Sequence, residues 1–291
     1  MTMQSFFNYA RQRHQVYLNR LEGKSSLTKD PILQKYRFTN VFRELDKTTD
    51  WFRRNVREEM RDSPDVLLAT VVFRMFNRIS TGEAIFNHLD FDKNNAFAVF
   101  LQTGDLRRMK KDVKAICGDG PYVTGAYIIT SPPGFTKLDG ILEILKNFRE
   151  ESGWRDAAKQ MIKEKMSLQT AWLWFKMQPW LGTFHSYEIV TDLRHTNLLC
   201  HANDVMSWCN VGPGARRGLN RIHGRNKKDK SVKVPKMLEE MQLILAASRS
   251  PGNWPRQWPE WEMRDVEHTL CEFDKYERVR NGEGRPRGVF A

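Results

Sequence analysis

Apolar positions along this 291-residue chain recur mostly at steps of three and four, the spacing that stacks side chains on one face of an α-helix. Phe38, Val41, Phe42, Leu45, Thr49 and Phe52 follow it and predict a helix over residues 38–52. Asp65 to Arg78 predicts a second helix, with Asp65 near its start. Leu138 to Arg149, Ala157 to Lys176, Val234 to Ala247 and Arg264 to Arg278 carry the same period. Beyond the turn-like GDGPYVTG, the stretch AYIITSPPG is apolar enough for a buried helix or a strand. Strands do not alternate with helices, so the pattern predicts a mainly α fold, as one large domain or two interleaved helical subdomains. Between the last two helices, SPGNWPRQWPEWE holds too many prolines for a helix. Trp254, Trp258 and Trp261 are expected to strap this loop onto the body, with stacking on an exposed base as the alternative.

Charge changes this picture more than composition does. Hydrophobic residues make up 40% of the chain and charged ones 28%, as in ordinary globular proteins. The formal net charge of +12 favours a polyanionic partner, because each phosphate neutralised by Lys or Arg releases condensed counterions. Between Gly214 and Lys236 stand nine basic residues, Arg216, Arg217, Arg221, Arg225, Lys227, Lys228, Lys230, Lys233 and Lys236, against the single acid Asp229. This segment reads either as a solvated, partly mobile loop or as a nucleic-acid contact. The four cysteines, Cys117, Cys200, Cys209 and Cys271, form no CxxC pair. A zinc site, an iron–sulfur cluster and a disulfide framework are therefore poorly supported, and a reducing cytoplasm is the expected setting. The longest apolar run, around Val66 to Phe73, is far shorter than a membrane span, and the polar N-terminus lacks a signal-peptide core, so no membrane partner is expected.

Three constellations can carry chemistry. In QPWLGTFHSYEIVTDLR, a tight turn at Leu181 and Gly182 leads into an amphipathic helix, the outline of a helix-hairpin-helix whose amides hold a DNA phosphate. His185, Glu188 and Asp192 then fall along one side of that helix. They read as a general base or metal ligands, or as a polar face with partners in neighbouring helices. In NDVMSWCNVGPGARRGLNRI, the turn Gly212-Pro213-Gly214 precedes Arg216 and Arg217 at a helix start, downstream of Asp204. Amides, helix dipole and guanidiniums together suit a phosphate or pyrophosphate, and a plain structural turn is the alternative. In RDVEHTLCEFDKYERV, Val266, Leu270 and Phe273 face a core, while Glu267, Cys271, Asp274 and Arg278 share an adjacent side. Glu272 and Lys275 form an i, i+3 pair there. Neighbouring carboxylates would raise the Cys271 pKa, which makes it a site-lining residue rather than a nucleophile. Nearer the N-terminus, Arg43 with Asp46, and Arg74 with Arg78, place arginines on apolar helices where each must find an anion.

Six segments in order, TNVFRELDKTT, VVFRMFNRIST, YVTGAYIIT, LGTFHSYEIVTDL, NDVMSWCNVGPGARRGL and LCEFDKYERV, resemble the helical domain shared by phage thymine-hypermodification enzymes. That domain occurs beside 5-hydroxymethyluracil DNA kinases and in the amino acid:DNA transferases, also called glutamyl/putrescinyl thymine pyrophosphorylases. The resemblance runs from about Tyr36 to Arg280, with GPGARRG and LCEFDKY its most specific strings. Residues 1–35 would then be an N-terminal helical extension and residues 36–291 the transferase domain. The family is similar in turn to helix-hairpin-helix DNA glycosylases, which flip a base from the duplex. The resemblance therefore implies a glycosylase-like helical fold, with Gly182 at the hairpin and Asp204 where glycosylases place their catalytic aspartate. The hairpin has no lysine, so lyase chemistry is not expected. The kinase members carry a P-loop domain, whereas here GxxxxGK[ST] is absent, the GKS at Gly23 having no glycine five residues earlier, so kinase activity is not expected of this chain either.

The substrate implied by the resemblance is phage double-stranded DNA whose thymine-like bases carry pyrophosphate on the 5-methylene. A free amino acid such as glycine or glutamate, or the polyamine putrescine, would displace the pyrophosphate. The residues implied for catalysis are Asp204, Glu188, Asp192 and Glu267. Those implied for holding substrate or pyrophosphate are Gly212, Gly214, Arg216, Arg217, Arg43, Arg74, Lys275, Glu272, Cys271 and Tyr127. For DNA they are Gly182, Thr183, Arg221, Arg225, Lys227 and Lys228. Magnesium bridging a carboxylate and pyrophosphate is compatible with the chemistry, but no dedicated metal motif is present and no other cofactor is expected. The cytoplasm of the infected bacterial host is the implied location. A glycosylase-like enzyme excising a modified base and a non-catalytic DNA-binding subunit are the alternatives.

Overall fold

The computed structural model describes residues 2–86, 95–126, 128–286 and 288–289. Its described residues are mainly helical, with an isolated bridge between Tyr36 and Val289 as their only β pairing. The chain begins with α1 (Met3–Leu21) and α2 (Pro31–Lys35). It continues through α3 (Lys47–Phe52), α4 (Val66–Phe76), α5 (Ile79–Phe86), α6 (Ala96–Thr103), α7 (Arg107–Cys117), α8 (Lys137–Glu151), α9 (Trp154–Lys163), α10 (Leu168–Met177) and α11 (Gly182–Leu193). It ends with α12 (Pro213–Ile222), α13 (Val234–Ser248) and α14 (Met263–Arg280). Two compact units divide these helices: Met1–Asp46 with Val205–Ala291, and Lys47–Asp204. None of the described helices is long and apolar enough to cross a membrane.

The first unit is organised on α14, against which α1, α2, α12 and α13 all pack. Phe273 of α14 meets Phe6 of α1 edge-on at 5.7 Å, and Phe6 meets Trp261 in the same way at 5.8 Å. Edge-to-face contacts of this kind add to the burial of the rings. Asp265 in the first turn of α14 accepts from the Glu262 amide, half of a reciprocal cap. Its carboxyl, buried, is pushed up to about 7. The tryptophan loop is ordered as expected: Trp254 and Trp261 are buried, and the Trp254 indole donates to the Pro259 carbonyl.

The second unit is built around α4, every residue of which is buried. A helix apolar all round belongs inside a core. Phe73 stacks on Phe52 at 4.4 Å. The single charge on α4, Arg74, is fully buried.

Local chemistry overrides the helical period in three places. Residues 38–52 are not one helix: Asn40 donates to the Leu45 carbonyl, Asp46 accepts from the Asn40 amide, and these side chain–backbone bonds close a loop with one short 3-10 turn at Arg43–Leu45. The predicted helix from Ala157 to Lys176 breaks at Lys165, whose φ of +47° is left-handed. α10 then restarts with Ser167 accepting from the Thr170 amide as N-cap. α4 stops at Phe76 because Asn77 adopts φ +46° as a left-handed C-cap. The described part of AYIITSPPG is neither helix nor strand.

Candidate functional site

In the first unit, α12 lies so close to α14 that a Cβ added at Gly214 would sit 2.2 Å from the Cys271 sulfur, and one at Gly218 would sit 2.3 Å from the Leu270 carbonyl oxygen. GPGARRG therefore has a packing reason for its second and third glycines: no side chain fits between the helices. The Gly212 amide at the N-cap of α12 donates to Glu267 at 3.2 Å, so a protein carboxylate is already placed at this helix start.

The same face of α14 gathers further polar groups. Glu272 accepts from the Thr39 amide at 3.0 Å and from the Lys275 ammonium at 2.8 Å. Lys275 also lies over the Phe38 ring. Thr39 Oγ1 is 2.6 Å from His268 Nε2. Arg43 pairs with Asp46 at 2.8 Å, and the Asp46 carboxyl is raised by burial despite Arg43 beside it. Burial, with Glu272 and Glu267 nearby, pushes the Cys271 thiol up to about 12. Such a thiol stays protonated at neutral pH and is no nucleophile. Gly212, Glu267, His268, Cys271, Lys275 and Arg217 are half-buried, so this edge of the helix pair is partly accessible to solvent.

Behind that edge the basic segment is largely paired. Asp274, fully buried, accepts from Arg217 at 2.7 Å and Arg221 at 2.8 Å, with Arg278 at 3.5 Å. Arg225 forms a two-pronged pair with Glu240 at 2.8 and 2.6 Å, and Lys227 reaches Glu283 at 2.7 Å. Arg221 and Lys227 hold the Glu283 carboxyl down at about 2. Arg216 donates to the Val232 carbonyl. Lys228, Lys230 and Lys233 are exposed and form no ion pair among the described residues.

In the second unit, a different cluster is sealed. Asp192 of α11 accepts from Arg74 at 2.5 and 2.8 Å and from Arg57 at 3.1 Å, and all three side chains are buried. Arg74 also donates to Asn77 and Thr49, and lies 4.0 Å from Glu188. Arg57 ends a π-helical turn, Arg53–Arg57, that continues α3, a feature frequent at functional sites. Burial holds the His185 imidazole below its ordinary pKa, with Glu188 opposing. Asp204 accepts from the Leu168 and Gln169 amides at 2.7 and 2.9 Å, so both its oxygens cap α10. α10 and α11 pack as a hairpin whose turn holds Trp180 at φ +70° and Gly182 at φ +58°. The Thr183 carbonyl accepts from the Trp172 indole.

Residues 1–285 match the protein family described as "5-hmdU DNA kinase, helical domain". The chain belongs to that family. One relative, the 5-hmdU DNA kinase of Bacillus phage SP10, is 26% identical over 238 residues, which cover 75% of this chain and 35% of the relative. The chain thus corresponds to about a third of that relative's length. No solved structure matches.

Within this helical domain, the structure brings Gly212, Gly214, Arg217, Glu267 and Cys271 onto the α12–α14 junction, and sets Glu272 and Lys275 of α14 against the segment that carries Phe38, Thr39, Arg43 and Asp46. It joins Arg74, Glu188 and Asp192 in the sealed cluster of the other unit. Tyr127 lies outside the described residues. Thr39, His268, Arg57 and Asn77 take part without having been singled out by the sequence. Arg57 sits in RRNVREE, which reads as a solvated charged run, and only tertiary packing turns it inward. Among the described residues no group of three or more His, Cys, Asp or Glu side chains is placed to hold a metal ion. A magnesium ion at the α12–α14 edge would therefore take most of its oxygens from water and the ligand.

Proposed function

We propose that this chain acts on 5-hydroxymethyldeoxyuridine-derived bases in phage DNA, transferring an amine onto a base whose 5-methylene carries pyrophosphate. Membership of the 5-hmdU DNA kinase helical-domain family supports the base and the DNA. The observation that carries the reading is that GPGARRG and LCEFDKY form one half-buried edge, where amide, carboxylate, ammonium and guanidinium groups converge.

In the proposed reaction the amine nitrogen attacks the 5-methylene carbon as the carbon–oxygen bond breaks. The electron pair and negative charge leave with pyrophosphate, and the nitrogen's extra proton passes to a carboxylate. Glu267 is the carboxylate we assign to that proton, because it stands half-buried at the mouth of the Gly212 turn. Lys275 and Arg217 are positioned to draw the leaving pyrophosphate's charge, each giving up part of its present pairing. Asp204, with both oxygens on amides, and Asp192 and Glu188, beside buried arginines, serve as comparisons.

Pyrophosphate release from DNA containing the pyrophosphorylated base, in the presence of pooled amino acids and putrescine, tests this assignment. Release should fall at least about a hundredfold in Glu267→Gln, as for loss of a general base. It should persist in Asp204→Asn wherever that variant stays folded. Undiminished release by Glu267→Gln would overturn the assignment.

A second reading, a DNA-recognition module without chemistry of its own, is favoured by one observation. The chain corresponds to about a third of the kinase relative and contains no GxxxxGK[ST]. That reading predicts DNA binding without any amine-dependent pyrophosphate release.

A further inference from the structure

In the first unit, away from the α12–α14 edge, the tryptophan loop and the end of α13 enclose a pocket of about 430 Å³, within the range of small-ligand sites. Trp254, Trp258 and Trp261 line it with Ser248 and Pro255, and Met206, Arg249, Arg256 and Glu260 stand exposed at its rim. The three indoles are set near right angles, Trp254 to Trp258 at 69° and 4.7 Å, and Trp254 to Trp261 at 81° and 5.1 Å. Trp254 and Trp261 are buried, so Trp258 is the indole with surface to offer a planar group. Trp258 is only half-buried, and its ring centroid lies 4.6 Å from that of His14. Trp261 is 2% exposed, and its indole N–H is buried with no acceptor among the described residues. Neither rim guanidinium forms an ion pair among the described residues.

Charge decides the ligand class. Two guanidiniums against Glu260 make the rim cationic, which disfavours an amine despite the aromatic lining. A flat heterocycle joined to an anion fits both halves: the ring takes the Trp258 indole, and the anion takes the two rim arginines. We propose that the pocket receives one unstacked nucleotide, its base on Trp258 beside the buried Trp254 and Trp261, and its phosphate at Arg249 and Arg256. Stacking on an indole stabilises a base of any sequence, so a single nucleotide is a workable occupant. The pocket is separate from the site assigned to amine transfer and does not depend on that chemistry. A free nucleotide and an unpaired stretch of DNA offer the same groups.

Indole N–H resonances of ¹⁵N-tryptophan-labelled protein, assigned by single Trp→Phe variants, test the proposal. Thymidine monophosphate, a short thymidine oligonucleotide, and a duplex of the same length are the probes. The expected result is that the Trp254, Trp258 and Trp261 signals move first, with the duplex at least about tenfold weaker than the single strand. Movement with both single-stranded probes, or with either alone, supports the nucleotide and says whether it arrives free or within DNA. Arg249→Ala/Arg256→Ala should weaken binding about tenfold or more and flatten its salt dependence by roughly one phosphate's worth or more. Trp258→Phe should keep most of the affinity that Trp258→Leu loses. Indole signals that stay still with all three probes would overturn the proposal, as would unchanged affinity in the exposed double-arginine variant.

Discussion

At the scale of single residues, Gly214 and Gly218 show how little space specifies the α12–α14 contact. Filling either site is overpacking, which costs about 1–3 kcal/mol and sometimes more. The two obstructions differ in kind. At Gly214 the nearest atom is the Cys271 sulfur, whereas at Gly218 it is backbone oxygen. Gly214→Ala should therefore lower the thermal midpoint and recover part of the loss when combined with Cys271→Ala. Gly218→Ala should gain nothing from the same partner. Equal recovery in both pairs, measured by thermal unfolding, would contradict the packing account.

His14 makes a residue-scale prediction about pH. It is 2% exposed, and both ring nitrogens are buried without hydrogen-bond partners among the described residues. Burial, with Arg13 adjacent, lowers its pKa to about 4. Between that value and the unfolded value of about 6.5 the unfolded chain binds the proton and the folded one does not. Stability from this residue is thus complete above about pH 6.5 and lost as pH falls toward 4, by at most about 3 kcal/mol. Other groups titrate in the same interval, among them Asp265, raised to about 7. The quantity to measure is therefore the difference between wild type and His14→Leu. Wild type should lose stability relative to the variant on acidification from pH 7 to 4, and parallel curves would refute the assignment.

At the scale of elements, the periodic pattern was legible wherever one face of a long helix buries itself. α8, α13 and α14 fall where spacing predicts them, because apolar steps decide both helix and burial. The ends and breaks were not legible, because they depend on short-range polar bonds. Asn40 and Asp46 bend a segment whose apolar spacing is helical, and Asn77 ends α4 two residues early. The charged residues of α11 lay in view, but their partners did not, since Arg57 and Arg74 approach Asp192 from other helices of the unit. That network gives a prediction at this scale. Removing one side of a buried pair leaves an uncompensated charge and costs about 3–5 kcal/mol. Asp192→Ala should cost that much in chemical denaturation, whereas Asp50→Ala, on a partly exposed pair with Arg53 and Arg54, should cost less than about 1 kcal/mol. Similar losses in the two variants would contradict the view that α11 is locked by its buried carboxylate.

At the scale of the whole molecule, the formal charge of +12 predicts a polyanion partner, and the structure narrows which cations are available to it. Arg221, Arg225 and Lys227 are committed to carboxylates of their own unit, while Lys228, Lys230 and Lys233 remain exposed without ion pairs among the described residues. Neutralising those three lysines should reduce the slope of log affinity against log salt by up to about 3 on duplex DNA. Neutralising Lys227 should instead cost stability. A slope unchanged by the triple substitution would place DNA elsewhere on the protein.

Membership of the 5-hmdU DNA kinase helical-domain family reaches from residue 1 to residue 285, so α1 and α2 lie inside the matched region. The most direct measurement is nucleoside mass spectrometry of DNA carrying the pyrophosphorylated base, after reaction with the protein and one ¹⁵N-labelled amine at a time. The account predicts a new nucleoside that retains the label on its 5-methylene, formed with one amine and with one pyrophosphate released per label gained. Abasic sites, or a base left unchanged with every amine, would contradict it.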